Sequence, residues 1–242
     1  MFIILVNQKD ILFDLFGITF YVRGSMFTFA IILSLALILH NAHKNNKDWL
    51  KFGFIYISVV FGIFICSKIL FLIINIKELS RLLFANPFTY GASSYGAIIG
   101  STAAGYISIK LFKMDFWETS DYFIIPAILS AIIGRISCFI TGCCAGTETT
   151  MPWGVVYNNM DRAVHPAQLY EVLLLIFILI YIHIKMKRSI PGELLILFLL
   201  LYALVRIILD FIKVEPIMYR TLPYMLFFCC VIQLKRLRSN WR

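Results

Sequence analysis

Charge is scarce in this sequence: only 14% of its 242 residues are Asp, Glu, Lys or Arg, and the 13 acids are outnumbered by 22 Lys and Arg. With 61% hydrophobic residues and a mean hydropathy of +0.87, that scarcity excludes an ordinary soluble domain. The first residues, Met1 to Gln8, lack both a basic start and a small-residue cleavage site, so they read as an interfacial segment and not as a removable signal peptide. A disulfide framework is missing as well. Of Cys66, Cys138, Cys143, Cys144, Cys229 and Cys230, four lie in apolar stretches where a thiol packs as a small hydrophobe. The basic residues are spread among connections and the tail without forming a patch, which argues against a nucleic-acid partner.

What is present is apolar sequence in long windows. A helix needs about 20 apolar residues to cross a bilayer. Windows at 18–41, 52–76, 91–109, 119–140, 168–186, 193–212 and 221–234 predict an all-α polytopic membrane protein with about seven transmembrane helices, a single transmembrane domain over 1–242. One set of connections plus the tail carries Lys44, Lys47, Lys51, Lys110, Lys113, Lys185, Lys187, Arg188, Lys235, Arg236, Arg238 and Arg242. The other side has Lys9, Lys77, Arg81, Arg162, Lys213 and Arg220. The positive-inside rule then predicts an outward amino terminus, an outward loop at about 141–167 and a cytoplasmic carboxyl terminus. Gly91, Gly96, Gly100 and Gly105 recur at four- or five-residue spacing, as in closely packed helices.

Against this background the charges inside apolar windows stand out: Arg23, Lys68, Asp121, Arg135, Glu171, Arg206 and Asp210. Each costs roughly 2.5–3.5 kcal/mol at a helix centre, so such residues face a polar interior and have partners. Four cations against three anions suit a phosphate-bearing ligand, although Arg206 and Asp210, one turn apart, also suit a simple ion pair. Arg135 ends a span just before the loop Gly142-Cys143-Cys144-Ala145-Gly146. That loop invites a zinc reading with Cys138 or His165 as further ligands, but vicinal cysteines without C-x₂-C spacing argue for no metal. His165-Pro166-Ala167-Gln168-Leu169-Tyr170-Glu171 opens the next span with an amide, a phenol and a carboxylate.

These strings resemble the bacterial prolipoprotein diacylglyceryl transferases. The resemblance rests on Gly134-Arg135 with Phe139 and Gly142, on Pro152-Trp153, on the His165-to-Glu171 string, and on Tyr202 with Arg206 and Asp210. Gly24, Lys68, Asp121 with Pro126, and Gly192 support it, and the ordered similarity runs over about residues 17 to 215. The resemblance implies seven spans and transfer of a diacylglyceryl group from phosphatidylglycerol to a lipobox cysteine thiol of a prolipoprotein, without a cofactor. It also implies catalytic roles for Arg135, Arg206, Tyr95 and Asp210. Arg23, Lys68, Cys138, Gly142, Cys143, Gly146, His165, Gln168, Tyr170 and Glu171 would form the substrate site. Five positions depart from the family. Tyr95 stands where the family has a His proposed as base, Cys138 and Cys143 replace Asn and Glu, Arg23 replaces Tyr, and Asp210 replaces Glu. A phenol ionises near pH 10 and works as a base at neutral pH only beside a cation. Two readings therefore stay open: the transferase itself, with the prolipoprotein thiol or another nucleophile as acceptor, and a non-catalytic relative that binds or moves anionic lipid.

Overall fold

The computed structural model describes residues 4–6, 11–15, 18–75, 93–158, 160–213 and 217–240. It is helical throughout most of that length: α1 is Val22–Lys44, α2 Trp49–Ile74, α3 Ser94–Leu111, α4 Phe116–Asp121, α5 Ile124–Ile140, α6 Ala167–Lys185, α7 Glu193–Asp210 and α8 Ile217–Asn240. Among the described residues four segments are long and apolar enough to cross a membrane: α1, α2, α4 continuing into α5, and α6 with the short 3₁₀ turn that follows it. The other three expected windows also hold helices, but of a different composition. α3 is diluted by Gly, Ser and Thr, and α7 carries Glu193, Arg206 and Asp210 within 18 residues. Gly91 and the rest of 76–92 lie outside the described residues.

Short strands interrupt the all-helical expectation. β1 (Ile4–Val6) pairs in parallel with β4 (Val155–Tyr157), and β2 (Ile11–Leu15) pairs antiparallel with β3 (Ile18–Tyr21). The first apolar window therefore begins as a strand and turns helical only at Val22. Its Ile-Thr-Phe-Tyr run is β-branched and aromatic, composition that suits a strand as well as a span.

Two compact units divide the chain, one made of 1–36 with 120–242 and the other of 37–119. In the first, α6 buries Gln168, Glu171, Val172, Leu175, Ile178 and Ile182 at helical spacing, one stripe facing its neighbours. Leu175, Ile178 and Ile182 pack with Ile124 and Ile128 of α5 and with Leu194, Leu197, Val205 and Leu209 of α7. Ser34 on α1 is buried and bonds the Pro126 carbonyl at 3.2 Å and the Ser130 hydroxyl at 2.7 Å, so α1 joins α5 through a small polar seam. Asp121 is accounted for here. Its carboxylate accepts from the backbone N–H groups of Gly192 at 2.7 Å and Leu195 at 2.9 Å, an anion capping the positive end of α7. In the second unit α2 and α3 pack backbone to backbone, with no room for a Cβ at Gly62, Gly96 or Gly100.

Candidate active site

The site is built from three helices of the first unit, and its hub is Glu171, in the second turn of α6 and completely buried. Arg135, near the end of α5, brings Nε to 2.9 Å from Oε1 of this carboxylate. Arg206, one turn from the end of α7, places Nη1 4.0 Å from Oε2. Lys213, three residues beyond α7, places Nζ 3.4 Å from the same oxygen and is itself buried. The Tyr202 hydroxyl donates to Oε1 at 3.3 Å. Three cations thus converge on one carboxylate among apolar helices. Even with Asp210 counted at the end of α7, positive charge is in excess, and an anion is what such a pocket accommodates.

Gln168, one turn before Glu171, is also completely buried and donates from Nε2 to the Cys143 carbonyl at 2.5 Å. The loop is folded over this point by the end of α5. Gly142 takes φ 69°, its N–H bonds the Phe139 carbonyl at 3.2 Å, and the Cys143 N–H bonds the Cys138 carbonyl at 3.0 Å. That is the Schellman pattern, in which a left-handed glycine returns the chain over the last helical turn. Cys143 therefore lies back against Cys138, and the Sγ atoms of Cys138, Cys143 and Cys144 fall within 4.8 Å of one another. Hydrogen bonds from the Cys138 and Cys144 thiols, with Arg23 nearby, hold the Cys143 thiol below its ordinary range. Burial pushes the Tyr157 phenol of the adjoining strand up to about 12, and its main neighbour is Gln168.

Gly146 fixes the other side of the loop. Its N–H bonds the His165 carbonyl at 2.9 Å, and a Cβ there would meet His165 at 2.8 Å and the side chain of Ile212 at 3.0 Å. The Pro166-initiated string divides into two faces. Gln168 and Glu171 point into the polar centre, whereas the Tyr170 hydroxyl accepts from Trp153 Nε1 at 2.7 Å and lies 3.2 Å from His165 Nδ1. Arg23 is exposed in the first turn of α1. Lys68, on α2, and Tyr95, in the first turn of α3 with its hydroxyl buried, belong to the second unit. Sequence reasoning passed over Lys213 because it counted it as a loop base. The signal was there in the spacing: Tyr202, Arg206, Asp210 and Lys213 follow at four-, four- and three-residue steps, one helical stripe.

A multi-pass helical membrane protein with a buried cation-rich centre is the class that this fold and site define. The family model described as prolipoprotein diacylglyceryl transferase matches residues 10–236. The phosphatidylglycerol–prolipoprotein diacylglyceryl transferase of Clostridium tetani is 30% identical over 86% of this chain and 87% of its own length. Its namesake from Campylobacter lari is 30% identical over 88% and 83%, and that of Clostridioides difficile 28% identical over 85% and 84%. The chain belongs to the prolipoprotein diacylglyceryl transferase family, as the motifs led us to expect.

Proposed function

We propose that this chain is a transferase that moves the diacylglyceryl group of phosphatidylglycerol to the lipobox cysteine thiol of prolipoproteins, releasing glycerol phosphate, at the outer face of a bacterial cytoplasmic membrane. Relatives over most of its length carry that activity in their names. The observation that carries the reading is the convergence of Arg135, Arg206 and Lys213 on the single buried Glu171. Excess positive charge holds the phosphodiester of the donor lipid. When the thiolate attacks the glyceryl carbon, a C–S bond forms, the C–O bond to phosphate breaks, and its electron pair stays on the departing glycerol phosphate. Negative charge then grows beside the guanidinium groups, and stabilisation of such developing charge is commonly the largest catalytic contribution.

Glu171 keeps the cations gathered, Asp210 completes the α7 end of the site, and Gln168 sets the position of the Cys143 loop. Gly142 and Gly146 give the loop its close turns, Cys138 and Cys143 face the lipid headgroup, and His165 with Tyr170 orders the loop's other side. Arg23 and Lys68 attract the anionic donor. Tyr95, at the family's His position, accepts the thiol proton as its phenolate. All seven windows cross the membrane, with 141–167 outside.

A non-catalytic lipid-binding relative is the second reading, and the Tyr at position 95 is the observation in its favour. Complementation of a strain depleted of its own transferase, with mass spectrometry of a reporter lipoprotein, decides. A diacylglyceryl mass increment on the reporter cysteine is the expected result. An unmodified reporter from cells containing normally inserted protein would overturn the transferase reading. Tyr95→Phe probes the base separately: it should abolish transfer while binding of phosphatidylglycerol survives, and substantial remaining transfer would remove Tyr95 from the mechanism.

A further inference from the structure

The transfer chemistry has no use for three thiols gathered on one spot, yet the fold gathers them. Cys138 closes α5, Gly142 turns the chain back over it, and Cys144 takes the left-handed backbone that a non-glycine residue rarely adopts, φ 62°. The outcome is three Sγ atoms within 4.8 Å of one another, all of them free thiols. Metal–thiolate bonds of about 2.3 Å in a trigonal plane set sulfur atoms about 4 Å apart, so small side-chain rotations suffice to close the set on an ion. C-x₂-C logic overlooks this arrangement, because the third thiol arrives through a helix-terminating turn at C-x₄-C-C spacing.

The donor set selects the ion. No His, Asp or Glu joins the cluster among the described residues, and the His165 ring faces the Tyr170 hydroxyl instead. Hard cations require oxygen ligands, and structural zinc requires four donors. Three sulfur donors with no fourth suit a soft d¹⁰ monovalent ion. Cys144 is exposed and provides the way in, while Cys138 and Cys143 are half-buried. We propose that Cys138, Cys143 and Cys144 form a three-thiolate binding site for a soft monovalent cation of the copper(I) type. The site shares Cys138 and Cys143 with the proposed headgroup site, and it is tested by binding alone, a measurement that does not depend on transfer.

The test uses the full chain in detergent, reduced and kept anaerobic, with Cys66, Cys229 and Cys230 replaced by Ser so that only the three loop thiols remain. Copper(I) is titrated against a chromogenic competing chelator, and the product is examined by X-ray absorption. One equivalent per chain with three sulfur neighbours is expected. Cys138→Ser, Cys143→Ser and Cys144→Ser should each weaken binding by roughly 100-fold or more, beyond the 10–100-fold that loss of an outer-shell partner costs. Should the two half-buried variants misfold, Cys144→Ser at its exposed position still decides. Undiminished binding in Cys144→Ser, two-coordinate copper, or a preference for zinc over copper(I) would overturn the proposal.

Discussion

At Glu171 one carboxylate gathers Arg135, Arg206 and Lys213, and the energetics of that residue set the expected behaviour of its neighbours. Arg135 is its closest partner at 2.9 Å. Arg135→Ala should lower transfer by at least about 10²–10³, the cost of removing one group that stabilises developing anionic charge. Cys144→Ala, at an exposed loop position, should leave far more activity in reporter-lipidation assays on equally inserted protein. Equal losses would move the chemistry to the cysteines. Tyr157 offers a pH test in the same neighbourhood. Burial raises its phenol from 10.0 to about 12, so the fold favours the neutral form. That contribution is complete below pH 10 and is lost as pH rises through about 12. Tyr157→Phe should therefore lose stability less steeply across that window in alkaline unfolding followed by circular dichroism. An identical slope in both proteins would refute the assignment. The partners of Glu171 were partly legible beforehand, because a charge in an apolar window is expensive and must be used or paired. Arg135, Arg206 and Glu171 carried that signal. Lys213 did not, since a lysine just past a span is normally a loop base and only the spacing from Arg206 sets it apart.

Elements show a similar boundary between what local pattern encodes and what folding adds. Helices fell in the expected windows because apolar composition and helical spacing are local properties. The strand pairs were not legible: β1 and β4 have three residues each and join positions as far apart as Ile4 and Val155, with no turn between them to announce the pairing. The loop's close turn was visible as a glycine, but its consequence, Cys143 folded onto Cys138, emerges only with the Schellman bonds. Glycine spacing on α3 makes a sharper claim. A Cβ on Gly100 would overlap the Gly62 carbonyl oxygen of α2, whereas one on Gly105 would meet only Val59 Cγ2 at 3.4 Å. Gly100→Ala should therefore cost about 1–3 kcal/mol, as overpacking does, and lower Tm in detergent, while Gly105→Ala stays near wild type. The opposite ranking would mean that α2 and α3 do not meet through Gly62 and Gly100.

For the whole molecule the open matter is which loops face which side, and the charge distribution makes the commitment. On the proposed seven-span reading the connections 42–51, 110–115 and 185–190 share their side with the tail, and together they hold twice the Lys and Arg of the opposite side. The loop that carries Cys144, and with it the route by which a secreted prolipoprotein reaches Arg135 and Arg206, is therefore expected outside. Two positions make this measurable, because Cys144 and Ser239 are both exposed. In a variant whose only cysteine is Cys144, a membrane-impermeant maleimide should label intact spheroplasts. In a second variant, with all native cysteines replaced and Ser239→Cys as the single thiol, labelling should appear only after permeabilisation. Membrane yields and thermal unfolding equal to those of the parent establish that the labelled protein is folded and inserted. Labelling of Ser239→Cys from outside, with Cys144 protected until lysis, would invert the topology and place the cation-rich centre toward the cytoplasm, where a prolipoprotein acceptor already exported could not reach it.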